Sequence, residues 1–518
     1  MIAREVKYEM PEIFREQDPN QQVAQKQLER LAGLVPLEFG SDIFDWLARP
    51  DAPTGVSFPD QDPLQSTIIY NNTGSGAAGP AGAKAVTFIV GPQGNADSDS
   101  YDYVTNGSND NVQIQAAIDD LPANGGTIVL RDGTYSISEP IISATNNVVV
   151  IGNGAGTLLR GNSNWTADGY LLQLDGVNCH VKLIQFDGNS ADTTGGGFYS
   201  CRWIANAGVG STVTYCRFID STENNATCLG YIVSHCSFDV PDCGVGAIAV
   251  ACSLSLSYIR SSHLNTHMVS GFGTSVVTNN CFSVPDDFTG VVVDTAQTIS
   301  NNYFEIGDRF QGLVIDSGYI VNANYIVAGQ DFEGYGINGG FYQVSNNIIE
   351  VDSSLAGAVG ISSSGEVFNN HIDFNSPDLL STGIEATYMI SNNRILNTGT
   401  AIRTNETTCV GNYINHTKGH AIVVQGSRSL ISANHLFHIG EGTDNTYSGI
   451  YLATNINHCV ITSNIINGLS SGNDAKYCIH EEAGCDYNLI SSNVATGAGT
   501  TQIDTVGANT VTANNITT

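Results

Sequence analysis

Asp294, Asp316 and Glu385 close three similar fragments, VVVD, LVID and GIE, and each stands five residues ahead of a second recurring motif. If the apolar residue before each one points into a core, strand alternation turns the carboxylate outward. On neighbouring coils, Asp294 and Asp316 would then sit about 5 Å apart, near the separation of a retaining glycosidase, while a longer diagonal suits an inverting one. Crowding of that kind pushes one carboxyl pKa upward, as a general acid requires. The same pair also reads as an ordinary solvated acidic surface.

The position recurs as Asn338, Ser362 and Arg403, then as Val423, Tyr451 and His480, in GIN, GIS, AIR, AIV, GIY and CIH. One outward ladder follows, and with it a candidate glycan groove. Glu385 and Arg403 are vertical neighbours in it. They read either as a cross-coil ion pair of small net worth or as a carboxylate held by an arginine that also meets an acidic sugar. Further acidic candidates are Asp286 with Asp287, Glu333, and Glu350 with Asp352. Tyr335, Tyr342 and Tyr451 could stack on sugar rings or pack turns. A β-eliminating lyase needs a Lys or Arg base and often calcium. The chain has six lysines and no arginine-rich motif, so hydrolysis is the stronger enzymatic reading. No metal site or cofactor is expected. The stretch GNGAG (152–156) lacks a following helix and reads as β-turns, not as a phosphate loop.

What would position these residues is the second motif: an apolar residue, two small or polar ones, Asn, any residue, then an apolar one. It runs from VTNNCF (277–282) to VTANNI (511–516), with a period mostly of 19 to 23 residues. Asn280, Asn302, Asn324, Asn347, Asn370, Asn393, Asn412, Asn434, Asn464, Asn493 and Asn514 are expected to stack at a turn. Asn tolerates left-handed backbone angles, and its amide can bond the same amide one coil away. Weaker copies put Cys216, Cys236 and Ser262 at the Asn position. The twelve cysteines show no CxxC pair and no zinc spacing. They read as free thiols at apolar rung positions, Cys216, Cys236, Cys281 and Cys409 among them. An all-β solenoid follows: a right-handed, single-stranded parallel β-helix. At roughly 4.8 Å per coil, about fourteen coils would extend about 65–70 Å.

Residues 109–140 read as an opening helix and capping strands. Asp110 is the expected N-cap, Ile114, Ala117, Ile118 and Leu121 share one helical face, and Pro122 with Gly125-Gly126 ends the helix before TIVL and TYSIS. This short helix, Gly-Gly turn and GTY strand resemble the opening segment of pectate-lyase-like β-helices, viral tail spikes included. The resemblance implies a β-helix over residues 141–518.

The balance of 50 acidic against 19 basic residues, net −31, disfavours nucleic acid and anionic membranes. No stretch reads as a signal peptide or a membrane span. Residues 1–75 form a distinct, Gln- and Glu-rich module in which Ser41 would cap a short helix ended by Pro50. Residues 76–108 read as a neck and linker, where Gly76, Gly79 and Gly82 make collagen-type triplets. Three triplets suit either a triple-stranded neck between chains already joined or a flexible linker. Tail spikes resemble this layout. It implies a homotrimeric virion protein, attached to tail or baseplate proteins through residues 1–75, that meets host polysaccharide or glycoprotein at the cell surface. A polysaccharide depolymerase and a purely structural virion or surface rod are the alternatives. Because the repeat reaches VTANNITT, trimer contacts are expected in the N-terminal part or on the helix flanks.

Overall fold

A computed structural model describes residues 86–517, apart from 96, 166–168, 190–200, 207, 221–227, 241–246, 262, 272–274 and 469–473. The module of residues 1–75 and the Gly-X-Y triplets lie outside the described residues. What is described is a parallel β-solenoid of about 15 turns. Each regular turn contributes three short strands. The turn holding Tyr335–Gly339, Gln343–Ser345 and Ile348–Ser353 is typical. Each of these pairs in parallel with its counterpart one turn on, at Val359–Ser363, Glu366–Phe368 and His371–Ser376. The three faces are called A, B and C here, in chain order.

Alternation along these strands sends every second side chain inward, and the period of the repeat stacks like on like. Ile337, Ile361 and Ile384 line the inside of face A, Val344, Val367 and Ile390 that of face B, and Ile349, Ile372 and Ile395 that of face C, all fully buried. Aromatic residues stack in the same way. Phe282 lies 4.7 Å from Phe304, and Phe288, Phe310 and Phe332 are spaced 5.7 and 5.4 Å apart. Such columns bury apolar area continuously, so a single turn has little stability apart from its neighbours.

Between faces B and C stands the asparagine ladder. Asn347 donates through its main-chain N and through Nδ2 to Oδ1 of Asn370, at 2.9 and 3.0 Å, and Nδ2 also reaches the Val321 carbonyl at 3.1 Å. The pattern repeats from Asn280 through Asn302, Asn324, Asn347, Asn370, Asn393, Asn412, Asn434 and Asn464 to Asn493. Two sequence expectations change here. The left-handed residue is the one before each ladder asparagine: Asn279, Asn301, Asn346, Asn369 and Asn392, but also Ala323, Gly411, Ala433, Ser463 and Ser492. The ladder asparagine is chosen for its amide and not for its backbone angles. The last rung is also displaced by one residue. Asn493 bonds Asn515, while Asn514 takes the left-handed corner at φ 55°. Pairing of Leu489 with Val511 and of Val494 with Ile516 sets that register, against the apolar spacing of VTANNI.

The opening helix α1 spans Asn111–Asp119 and buries Ile114, Ala117 and Ile118, with Leu121 just beyond it. Asp110 stands at the N-cap position as expected, but its side chain makes no capping hydrogen bond. Its carboxylate is buried and accepts the amides of Gly107 and Ser136, each at 2.8 Å, tying the preceding loop to strand Gly133–Ile137. Strands Thr87–Pro92 and Tyr103–Thr105 pair with each other, and the former also with Gly126–Leu130. The part of 76–108 from Thr87 onward therefore belongs to the solenoid and not to a linker. GNGAG lies inside the long strand Val148–Gly161 as a bulged corner, where the register to His180–Asp187 shifts twice. Cys216 and Cys236 are buried, but Cys281 takes the outward place beside Tyr303, with Phe282 turned inward in its stead. Among the described residues no helix is long and apolar enough to cross a membrane.

Removing a ladder amide strands two buried donors on the preceding rung, each costing about 1–3 kcal/mol. Asn370→Ala is expected to destabilise the fold by roughly 3 kcal/mol or more. Asn514→Ala, at an exposed corner, should cost about 1 kcal/mol or less. Urea unfolding of both variants checks the difference, and equal losses would refute the shifted last rung.

Candidate functional site: a polar column on face A

Face A carries an unbroken outward column. Strand pairing places Ser270, Asp294, Asp316, Asn338, Ser362, Glu385 and Arg403 one above another, followed by Val423, Tyr451, His480 and Asp504. The residues just before them, such as Val293, Ile315, Ile337 and Ile384, are fully buried. The column is thus the outer side of the core's own stacking. It divides into three parts with different surroundings.

At one end Asp294 and Asp316 face each other across adjacent strands. Burial pushes the Asp294 carboxyl above the usual carboxylate range, and the charge of Asp316 adds to that, while His267 opposes it. Asn338 donates through Nδ2 to Asp316 Oδ1 at 3.3 Å. The pair therefore sets one carboxyl whose pKa is raised by burial beside one that accepts a hydrogen bond from an amide.

In the middle, Asn338, Ser362, Glu385 and Arg403 line an open cleft of about 470 Å³. Arg403 Nε lies 3.8 Å from Glu385 Oε1, too far for a hydrogen bond, and both side chains are about one-third exposed. The enclosed Nε makes no hydrogen bond within the protein. The floor continues over the corner between faces A and B through Gly339, Gly340, Ser363, Ser364, Thr387 and Asn405. Sequence reasoning missed these corner residues. The runs of small residues in NGG (338–340) and SSS (362–364) were the available signal.

At the far end, Val423 separates Arg403 from an aromatic group that does not line the cleft. His420, Tyr451 and His480 stack at 4.4 and 5.8 Å, and Tyr477 covers His480 at 4.5 Å. Tyr451 donates its hydroxyl to Glu482 Oε2 at 3.1 Å, and His480 Nδ1 lies 3.0 Å from Asp504 Oδ2. Burial lowers the His420 pKa to about 4, so its Nδ1 is free to accept the Ser448 amide at 3.0 Å. The outer parts of Tyr451 and His480 are thus largely committed to each other and to neighbouring carboxylates.

The remaining acidic candidates are spread over other faces. Asp286 Oδ1 accepts the Asp308 amide, Asp287 pairs with Arg309, Glu333 accepts from Gln311, and Glu350 accepts from the Tyr325 hydroxyl. A second cleft, of about 610 Å³, opens over the loops between faces C and A, where Asp331, Ser354, Asp378, Lys418 and Glu441 gather. No period in the sequence marks it, because these loops vary in length from turn to turn. Among the described residues no three His, Cys, Asp or Glu side chains converge as a metal site.

Three parallel strands per turn, an inner aliphatic stack and a buried asparagine ladder together decide the fold. The chain is a parallel β-solenoid. No protein-family model and no curated protein matches this β-helix in sequence. Solved structures resemble it in fold alone. A tailspike protein of E. coli bacteriophage HK620, in complex with a hexasaccharide, is 13% identical over 78% of this chain and 76% of its own, with a TM-score of 0.39. A PL6 alginate lyase in complex with a trisaccharide is 13% identical over 75% and 86%, at 0.34. PfbA, a surface adhesin of Streptococcus pneumoniae, is 11% identical over 84% and 92%, at 0.27.

Because the folded protein holds the Asp294 proton more tightly than the unfolded chain does, ionising it costs stability as pH rises through its titration. Asp294→Asn is expected to melt above the parent at pH 7, with the gap closing once the pH falls below the carboxylate range. Melting temperatures from pH 3 to 7 check this, and a gap independent of pH would refute it.

Proposed function

We propose that this β-helix binds carbohydrate chains along the outward column of face A, as a virion tail spike or tail fibre that attaches to host surface glycans. The observation that carries the reading is the cleft on face A. Its lining is made of amide, hydroxyl and glycine surface with one carboxylate and one guanidinium, and it spans four successive turns from Asn338 to Arg403. Hydroxyl-rich chains are recognised by such donors and acceptors held on rigid strands. In the same reading, residues 1–75 dock to tail or baseplate proteins and three chains act together. The Gln- and Glu-rich composition and the Gly-X-Y triplets support that part.

A second reading, glycan hydrolysis, is favoured by the Asp294 and Asp316 pair, since two carboxyl groups on adjacent strands, one with its pKa raised by burial, are the kind of pair that acid-assisted glycoside cleavage uses. Proton transfer of this kind contributes roughly 10²–10⁴-fold in rate. Asp316→Asn keeps shape and hydrogen bonding while removing the titratable group, so it would separate cleavage from attachment.

An array of immobilised microbial surface oligosaccharides tests the binding. The purified chain should capture a subset, and Glu385→Gln and Arg403→Ala should each weaken capture about tenfold or more. Their melting temperatures should hardly move, because a partly exposed ion pair at 3.8 Å contributes little stability. Undiminished capture by both variants would place the site elsewhere. New reducing ends released by the parent without any unsaturated sugar, and not by Asp294→Asn or Asp316→Asn, would establish hydrolysis. Deleting residues 1–75 should abolish incorporation into particles and leave glycan capture intact.

A further inference from the structure

Just past the cleft floor, a second outward column begins. Tyr319, Tyr342, Gly365 and Tyr388 each stand one residue before the paired positions Ile320, Gln343, Glu366 and Met389, so they follow one another on four successive turns. All three rings are more than half exposed, at 53, 61 and 63%. Tyr319 and Tyr342 stack face to face, with centroids 5.3 Å apart and planes within 2°. Between Tyr342 and Tyr388 the stack is interrupted by Gly365. A side chain there would run into the Phe341 carbonyl oxygen at 2.0 Å, so backbone packing requires the glycine. The consequence is a gap of one turn between two exposed tyrosines whose backbone positions are two turns, on the order of 10 Å, apart. With both rings projecting outward as Tyr319 and Tyr342 do, a sugar ring placed midway would lie about 5 Å from each, within the range of aromatic stacking.

The slot adjoins the cleft through the chain itself. Ser364, a cleft residue, precedes Gly365, and Thr387, another, precedes Tyr388. The approach from Gly340 is open, since a side chain there would meet only Ser364 Oγ, at 3.7 Å. Charge narrows the occupant further. Glu385 and Arg403 are the cleft's charged residues and cancel, while Asp316 and Asp294 continue the column above them. A chain with a carboxylate on every sugar would meet this acidic column, and a protein of net charge −31, without a matching row of cations.

We infer that Tyr342 and Tyr388 form an aromatic subsite that clasps a pyranose ring of an uncharged glycan whose neighbouring sugars occupy the cleft. The inference rests on the proposed glycan binding. Apolar C–H faces of the sugar pack on the two rings, and its rim hydroxyls stay in water or meet the corner amides.

The same oligosaccharide array, carrying neutral and uronate-rich glycans, tests it with the full chain. Neutral glycans should be captured in preference, and Tyr342→Ala and Tyr388→Ala should each weaken capture about tenfold. Tyr342→Phe and Tyr388→Phe should bind as the parent does. Tyr388→Trp should bind and shift its emission to the blue as the ring is covered. Preference for uronate-rich glycans would overturn the inference. So would capture that is lost in Glu385→Gln and Arg403→Ala but unchanged in both tyrosine-to-alanine variants, an outcome that leaves glycan binding standing. A change of oligomeric state on Tyr342→Ala, seen by sedimentation, would assign the rings to a contact between copies and overturn it as well. Absence of any capture by the parent would remove the binding site and the subsite together.

Discussion

A buried amide that bonds its own counterpart one turn away holds this molecule in register. Each ladder asparagine donates twice to the next rung's oxygen and once to a carbonyl of the turn before, so its side-chain donors are satisfied without water. That satisfaction matters because the corner lies under two faces of the solenoid, where an unpaired donor is expensive. It also offsets the cost of the left-handed residue that precedes each rung, about 1–2 kcal/mol where that residue is not glycine. Ala323 and Ala433 occupy this conformation with no side-chain compensation of their own.

Once the corner is registered, the rest of each turn has little freedom. A slip of one residue would turn Ile337, Ile361 and Ile384 outward and bring Asn338, Ser362 and Glu385 into the core. The polar column of face A is therefore not a separate feature added to the fold. It is the other side of the aliphatic stack, and its spacing is the spacing of parallel strands. The same repeat that stacks aliphatic groups inside brings Asp294 against Asp316 outside, where burial, with the Asp316 charge adding to it, raises the proton affinity of Asp294.

The column differs along its length because its neighbours differ. Where the corner into face B is built from glycine and serine, the surface is hollow and polar side chains face open space. Where His420, Tyr451, Tyr477 and His480 meet, rings fill the same space and pack on one another. One periodic position thus supplies both a cleft and a packed aromatic patch, and the volume of the flanking residues decides which.

The sequence by itself determined the solenoid, its opening helix, the rung asparagines from Asn280 to Asn493 and the face A column from Asp294 to His480. Each of these rests on a period, and a period in the chain becomes a column in space as soon as the strands pair. The tertiary structure alone decided what periodicity does not encode. The Asp110 side chain, at the N-cap position, bonds a loop and a strand instead of the helix's own amides, because a buried carboxylate takes whichever amides the fold points at it. The final rung moved from Asn514 to Asn515, because strand pairing with the turn before outweighs the local apolar spacing. The cleft floor at Gly339–Gly340 and the tyrosine slot at Gly365 appear only when corners from different turns are stacked. Their shape depends on what is missing between neighbours, and one turn's sequence carries no record of the gap above it.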